Sequence, residues 1–237
     1  MNRRSFSIFT AVGLALPLVA RASRADELEG RAVASGDADP TTPSTALTAD
    51  EIVTRVAAVY DKLTTFKADF RQGNRLLPYD KNKRPAGSLV FEKPTSMSWR
   101  YRSGNRVVSD GHRIKIYECD NQQMYELDPE RTQYPAALSF LTAQRRFSQN
   151  FHFSKVDVDA KLERAHLLLG EPRQPSPAYE RLVLYVDAAT YEVRRVLLID
   201  AQGNRNRFDF VHSASNPRVP RSEFTFTPPS STRIVRM

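Results

Sequence analysis

Four histidines, one cysteine and one pair of closely spaced aspartates are the side chains whose types could carry proton transfer, nucleophilic attack or metal binding. His112, His152, His166 and His212 lie far apart along the chain, and no H-E-x-x-H pair sets two imidazoles on one helix face. The single cysteine, Cys119, excludes an intramolecular disulfide framework and any multi-cysteine zinc site. Asp157 and Asp159 are spaced to share one face of a strand, as paired carboxylates for acid–base work would be. Between Lys155 and Lys161 they read better as a solvated charged face. Asp110-Gly111-His112 brings two catalytic residue types together, but its simplest role is a turn. No P-loop, G-x-S-x-G or dinucleotide fingerprint is present. These residues assign no catalytic site, no metal and no cofactor, and the chain is read as a non-enzyme.

The formal charge of +8 raises the question of nucleic acid. Four arginines and no acid stand in the first 25 residues, so removal of that segment would leave +4. Arg100 and Arg102 lie close to Trp99 and Tyr101, but in a strand alternate residues point to opposite faces. Rings and guanidinium groups therefore cannot form one stacking surface there. Arg145-Arg146 is too short for a binding tract. No nucleic-acid partner is assigned; a basic coat on an exported protein suits acidic partners or anionic lipid.

Residues 1–25 have the anatomy of a signal peptide, by the Sec or the twin-arginine route: Asn2-Arg3-Arg4, an apolar stretch from Ile8 to Ala20, then small-residue cleavage options ending at Ala22 or Ala25. No cysteine follows the cleavage options, so no lipid anchor is expected there, and the compartment expected is the periplasm of a bacterium. Residues 26–47, with Asp39-Pro40-Thr41-Thr42-Pro43-Ser44, read as a flexible linker. The folded domain is expected over 48–237.

Thr48-Ala49-Asp50-Glu51 is a capping box, and Ile52, Val56, Val59 and Leu63 recur at helical spacing, with Val53, Tyr60 and Phe66 beside them. The spacing predicts an amphipathic helix of about four turns. The pattern then changes to period two. Met97, Trp99 and Tyr101 alternate with Ser98, Arg100 and Arg102, and Leu89 and Phe91 stand on the preceding strand. Short strands are predicted at 106–110, 113–118 and 123–127, with turns at Ser103-Gly104-Asn105, Asp110-Gly111 and Asp120-Asn121. Pro135 opens a second helical pattern over 135–149, with Leu138, Phe140, Leu141 and Phe147 on its apolar side. Strands resume at 151–158, 164–169, 179–187, 193–200, 205–212 and 223–227. So many close-set strands predict a mainly β (α+β) domain whose antiparallel meander curls into a barrel or curved sheet.

Four segments, in order, carry a resemblance. Phe66-Lys67-Ala68-Asp69-Phe70-Arg71-Gln72 fits F-x-A-x-F-x-Q, and Gly87-Ser88-Leu89-Val90-Phe91-Glu92-Lys93-Pro94 leads into Met97 and Trp99. Val107-Val108-Ser109-Asp110-Gly111 precedes Ile116-Tyr117, and Glu223-Phe224-Thr225-Phe226-Thr227-Pro228-Pro229 stands near the end. Together they resemble the periplasmic lipoprotein-carrier family of the LolA type, over residues from about 50 to 232. Two departures stand out. Lys93 occupies a place where the family often has Arg, and residues 77–85 look like an insertion.

The resemblance implies a half-open, curved antiparallel β-barrel with a helical lid over an apolar cavity that takes the acyl chains of lipoproteins. It implies as partners an inner-membrane lipoprotein-releasing ABC transporter and an outer-membrane receptor, with the carrier itself a monomer. Leu89, Phe91, Met97, Trp99, Ile114, Ile116, Leu138 and Leu141 are the expected cavity lining, and Lys93 the expected lid latch, donating to carbonyls of the lid helix. The same fold could serve a carrier or sensor of another lipid or glycolipid of the envelope. On this reading Trp99→Asp abolishes binding of an apolar fluorescent probe and leaves the fold intact, which circular dichroism and probe titration together would check.

Overall fold

The structure, a computed structural model, describes residues 47–75, 84–128, 146–156, 164–175 and 179–236. The predicted signal peptide, linker and 77–83 loop, Asp157, Asp159 and Lys161, and most of the second helical segment, with Leu138 and Leu141, lie outside them.

Helix α1 runs Ala49–Asp61. It starts where the capping box places it: the Glu51 N–H donates to Thr48 Oγ1 at 3.3 Å, and the Thr48 N–H donates to Glu51 Oε2 at 2.8 Å. Its buried stripe is Ile52, Val53, Val56 and Tyr60, while Phe66 belongs to the first strand. The strands are β1 Thr65–Arg75, β2 Ala86–Glu92, β3 Ser96–Tyr101, β4 Arg106–Ser109, β5 Ile114–Glu118 and β6 Gln123–Leu127. A short helix, α2 Arg146–Asn150, leads into β7 Phe151–Val156, β8 Ala165–Pro172, β9 Arg181–Asp187, β10 Val193–Ile199, β11 Arg205–Ser215 and β12 Arg233–Arg236.

These strands form one open sheet in the order β12-β6-β5-β4-β3-β2-β1-β11-β10-β9-β8-β7. Apart from β12, each half is a meander of antiparallel neighbours, and β1 joins the halves by pairing with β2 on one side and β11 on the other. The period-two pattern decides which face is buried. On β3, Met97, Trp99 and Tyr101 are buried and Arg100 is exposed. Gly87 is required by close approach: a Cβ there would stand 1.9 Å from the Arg100 carbonyl oxygen and 3.0 Å from the Phe70 ring. The β4–β5 turn is built as its residues suggest. Gly111 has φ +95°, and Asp110 Oδ1 accepts from the N–H groups of His112 and Arg113 at 2.9 and 3.0 Å.

The C-terminal segment corrects the sequence-based expectation of a strand over 223–227. Arg221–Phe224 is a 3-10 turn, followed by extended chain that joins no ladder. Pro220, Pro228 and Pro229 bracket the segment and have no N–H to donate, so a ladder there would be broken at both ends. Its side chains bind the outer face of the sheet instead. Glu223 Oε1 accepts from Ser98 Oγ and from Arg100 Nε, both at 2.7 Å, and Oε2 accepts from Arg100 Nη2 at 2.6 Å. The Phe226 ring lies 5.2 Å from that of Tyr117, and the Arg106 guanidinium stands 5.3 Å from the Phe226 centroid. The chain then returns as β12, which pairs in parallel with β6, a departure from an all-antiparallel sheet.

Burial pushes the Glu223 carboxyl up, but hydrogen bonds from Arg100 and Ser98 and the charges of Arg100 and Arg106 outweigh it, so its pKa sits below the ordinary value of 4.5. A carboxyl depressed in the folded state stabilises fully above its unfolded pKa and loses that contribution as pH falls through the folded one. Arg100 is substantially exposed, so the clamp contributes about 1 kcal/mol at most. Glu223→Gln should lower stability by that amount at pH 7, with the difference from wild type shrinking as pH falls from 4.5 through the lower folded-state pKa. Urea unfolding at pH 7 and pH 3 reads both numbers.

Candidate functional site

Strand register gathers residues distant in sequence into apolar rows across the concave face. One row runs Ala68, Leu89, Trp99, Val107, Ile116 and Tyr125 through β1 to β6. The next runs Phe66, Phe91, Met97, Ser109, Ile114 and Leu127. The six nominated residues that the structure describes, Leu89, Phe91, Met97, Trp99, Ile114 and Ile116, therefore share one face, and none is more than 9% exposed. They belong to one core that also holds the buried stripe of α1.

The second half of the sheet supplies lining that the sequence reading did not nominate. A row from β11 to β8 reads Phe208, Val196, Leu184 and Leu168, each fully or almost fully buried. Phe70 joins the halves: its ring centroid is 4.9 Å from Trp99 and 5.0 Å from Tyr101, both edge-on. Trp99 meets Phe208 edge-on at 5.5 Å. Alternation within 179–187 and 205–212 marks Leu184 and Phe208 as buried, but only the tertiary structure sets Phe208 against Trp99.

This packing corrects one expectation. Trp99 is 0% exposed and held between Phe70 and Phe208, so an unpaired carboxylate at that position would cost several kcal/mol. Trp99→Asp reports on folding before it reports on binding.

Helix α1 covers this face, and polar contacts at the sheet rim hold it. Lys93 Nζ donates to the carbonyl oxygens of Tyr60 at 2.8 Å and Asp61 at 3.0 Å. An ammonium there meets the last carbonyls of a helix, which carry partial negative charge. Three rotatable donors suit two diverging carbonyls as well as a planar guanidinium would. The Val193 N–H donates to Tyr60 Oη at 3.0 Å, and burial pushes the Tyr60 phenol pKa up, so it remains neutral. Arg55 Nη1 donates to Tyr191 Oη at 2.5 Å, and its guanidinium lies 5.1 Å from that ring's centroid.

Besides Ser109, a polar amide is set into the apolar face. Gln72 continues the row of Phe208, Val196, Leu184 and Leu168 onto β1 and is 5% exposed. Its Nε2 donates to Asn74 Oδ1 at 3.2 Å and Asn206 Oδ1 at 3.0 Å, whereas its Oε1 is buried with no partner among the described residues. A buried orphan acceptor costs about 1–3 kcal/mol.

The histidines do not converge. His212 Nδ1 stands 2.9 Å from Asp69 Oδ2 in an exposed pair, His166 stacks on Tyr191, and His112 and His152 are exposed elsewhere. Among the described residues no three His, Cys, Asp or Glu side chains group as metal ligands would. No helix among them is long and apolar enough to cross a membrane.

An open antiparallel half-barrel holding a helix against its apolar concave face defines a class of fold. A family model described as outer membrane lipoprotein carrier protein LolA matches residues 61–227, and the chain belongs to that family. An outer-membrane lipoprotein carrier protein of Nitrosomonas europaea is 28% identical over 184 residues, which is 74% of this chain and 84% of the relative. One of Bordetella avium is 27% identical over 199 residues, 82% of this chain and 91% of the relative. An uncharacterized conserved protein from Thermus thermophilus superposes with a TM-score of 0.50 at 15% identity, covering 80% of this chain and 99% of that one, a likeness of fold.

Lys93→Met removes two charge-assisted hydrogen bonds and leaves the helix's apolar stripe intact. It should lower stability by about 1–2 kcal/mol. It should also raise the binding of N-phenyl-1-naphthylamine, because the face is uncovered more often. Urea melts and fluorescence titration of the same preparation check the two effects together.

Proposed function

We propose that this protein is a periplasmic carrier that binds the acyl chains of lipoproteins and moves them from the inner to the outer membrane. The observation that carries the reading is the broad, mostly apolar concave face, covered by one helix whose polar fastenings lie at the sheet rim. Membership of the family and relatives named outer-membrane lipoprotein carrier proteins support it. The expected export signal supports the compartment.

The energetics of carriage favour exchange of one cover for another. Moving a sixteen-carbon acyl chain out of water is worth about 12 kcal/mol at roughly 0.8 per methylene. Four buried side chains on α1 contribute about 6–12 kcal/mol by the same measure. The helix and an acyl chain are therefore near equals as covers. A carrier so balanced needs no nucleotide of its own: an ABC transporter loads it, and an outer-membrane receptor with a better apolar site unloads it. Lys93, Tyr60 and Arg55 set how readily the helix leaves.

Spheroplasts making radiolabelled lipoproteins test the proposal. Added purified protein should bring outer-membrane lipoproteins into the supernatant as a soluble complex of one carrier with one lipoprotein. Retention of all label in the membrane pellet, with apolar probe binding intact, would turn the assignment to a carrier of another envelope lipid.

A further inference from the structure

We infer that Gln72 is a specificity determinant within this face, its Oε1 accepting a hydrogen bond from the amide N–H of an N-acylated lipid head. The inference rests on the acyl-chain reading of the concave face and adds the chemistry of the head group. Three observations carry it.

First, Gln72 occupies an apolar position. It lies on the buried face of β1 after Phe66, Ala68 and Phe70, and directly across from Phe208 on β11. Core positions of this kind are filled by apolar side chains unless a polar group has a partner to meet.

Second, among the described residues its carbonyl oxygen has no partner while its nitrogen has two. Asn74 and Asn206 face each other across the β1–β11 pair and both present Oδ1 to Gln72 Nε2. In this arrangement both hydrogens of Nε2 are taken up, and Oε1 is the end left over, buried and unmet. A residue retained for structure alone would be better satisfied as an apolar isostere. An acceptor held rigidly by its own donors, in a dry apolar setting, is built to discriminate.

Third, the position matches a chain-plus-head ligand. Six residue steps along β1 lead from Phe66 to Gln72, roughly 20 Å of strand, and the side chains between them on this face are apolar. Beyond Gln72 the same face turns polar with Asn74 and Asn206. An extended acyl chain lying along this row would bring an amide at its head to Gln72, with the rest of the head towards the asparagines. The chemical class is a long-chain N-acyl amide, from the acylated terminus of a lipoprotein or from a free N-acyl lipid.

The test needs ligands that differ only in that N–H. N-palmitoyl-L-alanine methyl ester and its ester isostere, the palmitoyl ester of methyl L-lactate, are titrated against the full mature protein by displacement of N-phenyl-1-naphthylamine. The wild type should prefer the amide by at least about fivefold, the worth of one hydrogen bond in a dry site. Gln72→Met should bind the two equally, a loss of discrimination that a purely structural role would not produce. Equal affinities in the wild type overturn the inference, and this arm needs no variant. A preference that survives in Gln72→Met overturns it as well. Should neither ligand displace the probe from the wild type, the acyl-chain reading of the face fails, and the inference with it. A triacylated cysteinyl hexapeptide and an N-palmitoyl ornithine lipid, run as competitors, identify the source of the amide. Competition by either supports the site; competition by neither overturns it.

Discussion

An apolar sheet face this broad must be covered at all times, and the rest of the structure follows from that constraint. Leaving it in water would cost on the order of 25 cal/mol for every Å² exposed and would invite a second copy to cover it. The strands alone cannot cover it, because the sheet is open and its two halves are hydrogen-bonded to one another through β1. Helix α1 supplies the cover, with Ile52, Val53, Val56 and Tyr60 towards the sheet and Asp50, Glu51, Arg55 and Asp61 exposed to water. The fold thus covers its apolar face with its own chain.

The division between apolar burial and polar fastening gives the helix its character. Apolar contact is strong but undirected, so another apolar surface can replace it. The bonds from Lys93, to Tyr60 and from Arg55 are few and directional, and they fix where the helix rests. The opposite face of the sheet is treated differently. There the turn and extended chain after Pro220 are clamped by the bidentate Glu223–Arg100 pair and by Phe226, which leaves that face a fixed support. One face is covered mainly by apolar contact and the other by directional polar bonds.

Much of this was legible in the chain. The capping box set the start of α1 to the residue, because capping is a local exchange of hydrogen bonds among four residues. Alternation in 96–101 set which side of β3 is buried, because side-chain direction in a strand depends only on parity. The motifs from Phe66 to Thr227 all fall within residues 61–227, which the family model matches. Other features were not legible. Glu223-Phe224-Thr225-Phe226-Thr227 alternates like a strand but forms a turn and an outer strap, because flanking prolines and the partners Ser98 and Arg100 decide its fate. Gln72 looked like the end of a motif, and its orphan oxygen emerges only when Asn206 is brought beside it from 134 residues away.

The sequence by itself determined the kinds of element and the sides they bury, since capping, helical period and strand parity act between residues a few places apart. It also determined that Leu89 and Phe91 share one side of their strand and Met97 and Trp99 one side of theirs, with a basic residue, Lys93, between the two pairs in the chain. The tertiary structure alone decided that Trp99 sits between Phe70 and Phe208, that Lys93 reaches the end of α1, and that one polar amide is set into the apolar face. These depend on strand order and register, and register joins residues whose separation in the chain carries no local signal.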